Sequence, residues 1–265
     1  MGIKDILVYL DDSTPCESRI DAALTLAKAY GARVTGLFVH SFGYYQPHYL
    51  RTEETMVSIG TTLQCRAEAV GVKAGYRCVE SGVVGVGVRE LLIREAHLSD
   101  LVVIGQEPPG TPRSASLVEH LVTGCGRAVL TIPSAGVFSS IGNRLLVAWR
   151  DGREATRAMH DALPILKRAE LVTLVAVASE EEGDTSSWEP LLEHLGQHGI
   201  TPKAAILPHS TATPADNLLN YACDGGYDLL VMGAYSPVGS RRGSKIGAVA
   251  GQILREMTLP VFMSH

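Results

Sequence analysis

No stretch of this sequence approaches the ~20 consecutive apolar residues of a membrane-spanning helix, so no membrane partner is expected. The opening MGIKDILVYLDD lacks the long apolar core of a signal peptide: its run at 6–10 is short and ends in two aspartates. A cytoplasmic protein is expected. Excess positive charge is also missing. A net charge of −5 and a pI of about 6.0 argue against non-specific nucleic-acid binding, which needs a basic surface. Cysteine is sparse and unpatterned. Cys16, Cys65, Cys78, Cys125 and Cys223 are an odd number with no CxxC pair, which fits reduced thiols better than a disulfide framework or a redox centre.

What remains is ample for a buried core: 265 residues, 46% hydrophobic and 19% charged, a length that fits one large or two small domains. A short apolar run at 6–10 reads as a buried strand. Asp12 and Ser13 are candidates to cap the helix that follows, with Pro15 in its first turn. Over 16–30, Ile20, Ala23, Leu24 and Ala27 recur at three- and four-residue spacing, and Gly31 stops the helix. Strands follow at 34–39, 74–79, 101–104 and 128–132, with helices at 53–70, 84–97 and 115–123 between them; 41–49 reads as an aromatic loop. Residues 134–142, SAGVFSSIG, are small and polar enough for a linker.

The pattern then restarts. Leu7-Val8 pairs with Leu146-Val147, Ala23-Leu24 with Ala162-Leu163, and Asp100-Leu101 with Asp228-Leu229. Gly105 pairs with Gly233 and Val129 with Val261. A period of half the chain means a duplicated domain, here residues 1–133 and 143–265. Each half alternates strand and helix. That order gives an α/β fold, a five-stranded doubly wound parallel sheet with helices on both faces. With strand order 3-2-1-4-5, ligands bind where the order reverses, between strands one and four. Asp11 and Gly105 border that crevice in the first half, Arg150 and Gly233 in the second. After Gly233 comes a loop with Gly239, Gly243 and the basic Arg241, Arg242 and Lys245. Glycines and a following helix N-terminus are one way proteins hold phosphate.

Both halves resemble universal stress protein domains, and the whole chain resembles a tandem universal stress protein. The residues that carry this are ILVYLDDS, with an Asp ending strand one, GARVTGLFV, DLVVIG, DLLVMGAY and LREMTLPVFMSH. The resemblance implies the five-stranded sheet and a dimer-like pairing of the two domains through their fifth strands, with a further homodimer possible. It also implies stress-response function through protein partners, and in some members binding of ATP or a related adenine nucleotide. Nucleotide-binding members carry G-x-x-G, nine residues, then G-[ST]. In the second half Gly233 and Gly239 flank Ser236 at the second glycine's place, and the closing pair is Gly247-Ala248, one residue late and without its hydroxyl. In the first half Pro108 stands at the second glycine and Ala115-Ser116 at the closing pair. The candidate nucleotide contacts are therefore Asp11, Gly105 and Ser116 in one crevice, and Gly233, Gly239, Arg241, Arg242, Gly243 and Gly247 in the other. Asp11 has two readings, a nucleoside contact or a helix cap. Arg150 at the equivalent position removes an acceptor.

His194 and His198 are four apart on an expected helix, but two ligands do not make a metal site and no third is readable. A solvated helix face is expected, and no metal. The HxGH and SGGxDS signatures of ATP-using relatives are absent, as is a readable nucleophile–base pair. The expectation is a non-enzymatic universal stress protein with one degenerate nucleotide crevice. The alternatives are a slow ATPase or other nucleotide-dependent enzyme on the same fold, and a nucleotide-independent interaction module.

Overall fold

A computed structural model of the chain describes residues 2–41, 49–81, 87–111, 116–177, 188–208, 211–234 and 246–265. The chain divides into two compact units, Met1–Ser139 and Ser140–His265. The first unit runs β1 (Asp5–Leu10), α1 (Cys16–Tyr30), β2 (Arg33–Ser41), α2 (Tyr49–Val70), β3 (Ala74–Ser81), α3 (Val88–Ala96), β4 (Leu101–Gly105), α4 (Leu117–Gly124) and β5 (Ala128–Ile132). The second runs β6 (Arg144–Ala148), α5 (Arg153–Leu166), β7 (Leu171–Val177), α6 (Glu189–Gln197), β8 (Lys203–Leu207), α7 (Pro214–Asp224), β9 (Leu229–Gly233), α8 (Ala248–Glu256) and β10 (Val261–Ser264).

In the first unit the strand order is β3-β2-β1-β4-β5, and in the second β8-β7-β6-β9-β10. Neighbouring strands within each unit are parallel. The order 3-2-1-4-5 thus occurs twice, and its reversal lies between β1 and β4 and between β6 and β9. The crossover helices that parallel pairing requires cover both faces of such a sheet, which is why the central strands read as unbroken apolar runs. Leu101 to Ile104 and Leu229 to Met232 are buried throughout.

The aspartate that opens each echo of DLVVIG has a structural task. Asp100 Oδ2 accepts from the backbone N–H groups of Lys4 (2.8 Å) and Asp5 (3.0 Å) at the start of β1. Asp228 does the same in the second unit with Gly142 (3.0 Å), Asn143 (3.1 Å) and Arg144 (3.0 Å), and also takes the Ser140 hydroxyl. Strand starts carry unpaired backbone donors, and a carboxylate satisfies several at once.

Gly31 terminates α1 in the left-handed conformation (φ 59°), its N–H on the Ala27 carbonyl. Elsewhere the expected boundaries shift. The second helix begins at Tyr49 and not at residue 53, so Tyr49 belongs to the helix and not to the aromatic loop. Helix α3 begins at Val88; residues 84–86 of its expected start lie outside the described residues. Pro15 occupies the position before α1, and no side chain caps that helix. Asp12 and Ser13 do not cap it, because the Ser13 side chain is turned toward Asp11 and Arg19.

Candidate nucleotide site

At the reversal point of the first unit, Asp11 leaves the carboxyl end of β1 and meets Arg19, one turn into α1. The contact is bidentate: Arg19 Nη1 donates to Asp11 Oδ2 and Nη2 to Oδ1, both at 3.0 Å. Nη1 also donates to the Tyr9 carbonyl (2.8 Å) and Nη2 to Ser13 Oγ (3.2 Å). The Ser13 N–H (3.1 Å) and hydroxyl both donate to Asp11 Oδ1. Arg19 is 2% exposed, a burial that a charged side chain tolerates only when paired. Its Nε, also buried, has no hydrogen-bond partner among the described residues.

Gly105 at the end of β4 completes the arrangement. A Cβ there would lie 3.1 Å from Cζ, Nε and Nη2 of Arg19, so the guanidinium rests close against a strand end that glycine leaves open. Burial alone would raise the Asp11 carboxyl; hydrogen bonds from Arg19 and Ser13, with the Arg19 charge, outweigh it and hold the group below its ordinary value. Burial, reinforced by the Asp11 charge, pushes the Tyr9 phenol up to about 12. Asp11 is therefore neither a helix cap nor a free acceptor. It anchors a buried arginine.

The N-terminus of α4, the helix that follows β4, is also taken. Helix N-termini present N–H groups that attract anions. At α4, Ser116 Oγ accepts from Glu119 N (3.1 Å), while Glu107 Oε1 accepts from the N–H groups of Leu117 and Val118, the latter at 3.3 Å. An internal carboxylate thus takes two of the donors this helix N-terminus presents, and the Ser116 hydroxyl caps it.

The second unit solves the same junction differently. By the repeat offset, Arg150 stands at the place of Asp11 and is exposed, while Ala158, 1% exposed, stands at the place of Arg19. With no guanidinium to accommodate, α5 closes directly onto β9. A Cβ at Gly233 would lie 2.7 Å from Ala155 N and from the Glu154 carbonyl carbon. Gly233 is needed for helix–strand approach. Gly247 precedes α8; its N–H donates to the Ala234 carbonyl (3.1 Å), and among the described residues no side chain caps the helix. Gly239, Arg241, Arg242 and Gly243 lie outside the described residues. The two groups that the sequence reading missed are Arg19 and Glu107. Arg19 had a signal: it falls four residues before Ala23, on the buried stripe of its helix.

An Archaeoglobus fulgidus universal stress protein structure matches 98% of this chain and 97% of its own, at 18% identity and a TM-score of 0.74. The chain has the universal stress protein fold, in tandem. A candidate universal stress protein from Pseudomonas aeruginosa UCBPP-PA14 shares that fold over 99% of this chain and 93% of its own, at 16% identity and a TM-score of 0.66. A shorter universal stress protein in complex with cAMP matches 51% of this chain and 100% of its own, at 19% identity and a TM-score of 0.40. No family model matches the sequence, and no curated protein matches it. Among the described residues, no helix of this universal stress protein fold is long and apolar enough to cross a membrane.

Proposed function

We propose that the chain is a non-enzymatic universal stress protein of the cytoplasm that takes an adenine nucleotide in its second unit alone and acts through protein partners. The observation that carries this is the Arg19–Asp11 pair lying against Gly105. It fills the reversal-point crevice of the first unit with the protein's own groups, and Glu107 occupies the N-terminus of α4. A ligand there would have to break a bidentate ion pair whose arginine is buried and whose aspartate is partly exposed, which costs about 2–3 kcal/mol where one partner is left behind.

In the second unit Ala158 stands where the guanidinium would be and α5 itself approaches β9, while among the described residues no side chain caps α8, whose N-terminus is left to receive phosphate. The loop leading to it contributes Arg241 and Arg242 in a chain that is acidic overall. With Arg150 in place of Asp11, adenosine loses an acceptor, so binding rests on the phosphates and favours ATP over AMP. The first unit is then a nucleotide-independent interaction module, the reading that its filled crevice favours.

Isothermal titration of the full chain with ATP and AMP tests the proposal. Gly239→Val or Arg241→Ala lowers ATP affinity, and Ser116→Ala leaves it unchanged. Equal losses in all three, or no binding of either nucleotide, would sink it.

A further inference from the structure

Three histidines separated in sequence meet on the outer side of the second unit. His160, exposed on α5, places Nε2 3.1 Å from Nε2 of His194, exposed on α6. The His198 ring lies 4.9 Å from that of His194, edge-on to it, at the end of the same helix. The sequence reading saw only the pair on α6. The partner on α5 is visible only after folding.

The tautomer of His160 follows from its other nitrogen. Nδ1 lies 2.8 Å from the Thr156 carbonyl oxygen. A carbonyl only accepts, so Nδ1 carries the proton, and in the neutral ring Nε2 is left with a bare lone pair. This is the arrangement that orients metal-ligating imidazoles, one nitrogen tied to a backbone carbonyl and the other free to bind. His194 Nε2 then holds the proton shared between the rings, and edge contact with His198 restricts how His194 turns.

We propose that His160 and His194 form a chelating pair for a divalent first-row transition cation of the imidazole-preferring kind, Zn²⁺ or Ni²⁺. Two metal–nitrogen bonds of about 2.0–2.1 Å at adjacent coordination positions bring their nitrogens to roughly 3 Å, the spacing already present here. No group of three His, Cys, Asp or Glu side chains suited to a metal occurs among the described residues. Two imidazoles fall short of the three or four protein ligands of a structural or catalytic site, so water completes the shell and the cation is held weakly and exchangeably. On binding, the cation replaces the shared proton, and His194 moves that proton to its Nδ1 through solvent.

Calorimetric titration of the full chain with Ni²⁺ and, separately, Zn²⁺ tests this against His160→Gln, His194→Gln and His198→Gln. Both ring positions are exposed, so metal-free melting temperatures should match the unaltered chain and confirm folding. The expected result is one Ni²⁺ per chain, with affinity falling by about tenfold or more in His160→Gln and in His194→Gln. Retained affinity in His160→Gln, or no binding by the unaltered chain at millimolar Ni²⁺, would overturn the proposal and leave a hydrogen-bonded imidazole pair.

Discussion

Arg19 decides what the first crevice holds. Its guanidinium is buried, bidentate on Asp11 and pressed against Gly105. Removing it strands a carboxylate that retains 30% of its side-chain exposure. Arg19→Ala should therefore cost about 2–3 kcal/mol, less than a fully buried pair, measured by urea unfolding. A loss under about 0.5 kcal/mol, the range of ordinary surface substitutions, would show the pair to be incidental. The acid limb of stability gives a second reading. The folded carboxyl titrates below its ordinary 3.8, so the unfolded chain binds more protons in that window. The contribution is complete above the unfolded value and is lost as pH falls through the folded one. Asp11→Asn should flatten the decline in unfolding free energy below about pH 4, relative to the unaltered chain. The sequence made Asp11 conspicuous at the end of a strand, yet offered two roles and missed the third. An ion pair eight residues apart is invisible until the loop between them turns back.

The two glycines that end β4 and β9 look equivalent in sequence and serve different contacts. A Cβ at Gly233 would meet the backbone of α5 at 2.7 Å, and one at Gly105 a side chain at 3.1 Å. A helix backbone cannot yield locally, whereas an arginine can shift by a few tenths of an ångström. Gly233→Ala should therefore lower stability by about 2–3 kcal/mol and Gly105→Ala by about 1, compared by thermal melting of the two variants. An equal or reversed ranking would contradict the described contacts. The elements themselves were legible: α1, α8 and the central strands fall where periodicity and apolar runs place them. The exceptions have local causes. Helix α2 extends back to Tyr49 because nothing in that aromatic stretch forbids helix after Pro47, and a proline excludes helix more strongly at the residue before it than after it.

Across the whole molecule, duplication preserved the frame and let the crevices diverge. Both halves keep the strand order and the aspartate clamp, while Arg19 became Ala158 and Asp11 became Arg150 across the repeat, in whichever direction the change ran. This asymmetry has a direct readout. Hydrogen exchange with saturating ATP should slow over residues 229–256 and stay unchanged over 5–19 and 101–124. Protection confined to the first unit would reverse the assignment. The frame was readable from sequence because it rests on repeated apolar runs. The crevice was less so because its occupancy depends on which side chain turns inward, a choice made by packing.

The aspartate clamps also set a schedule. The N–H groups that open β1 find their acceptor at Asp100, 96 residues beyond Lys4. During synthesis the first strand therefore leaves the ribosome long before the carboxylate that will seat it exists, and β4, the second of its two neighbours, arrives at the same moment as that carboxylate. The earliest part of each half waits for one of its later parts, so the first unit should acquire protease resistance in a single late step, visible when nascent chains released with 1–95 exposed are compared with those exposing all of 1–139.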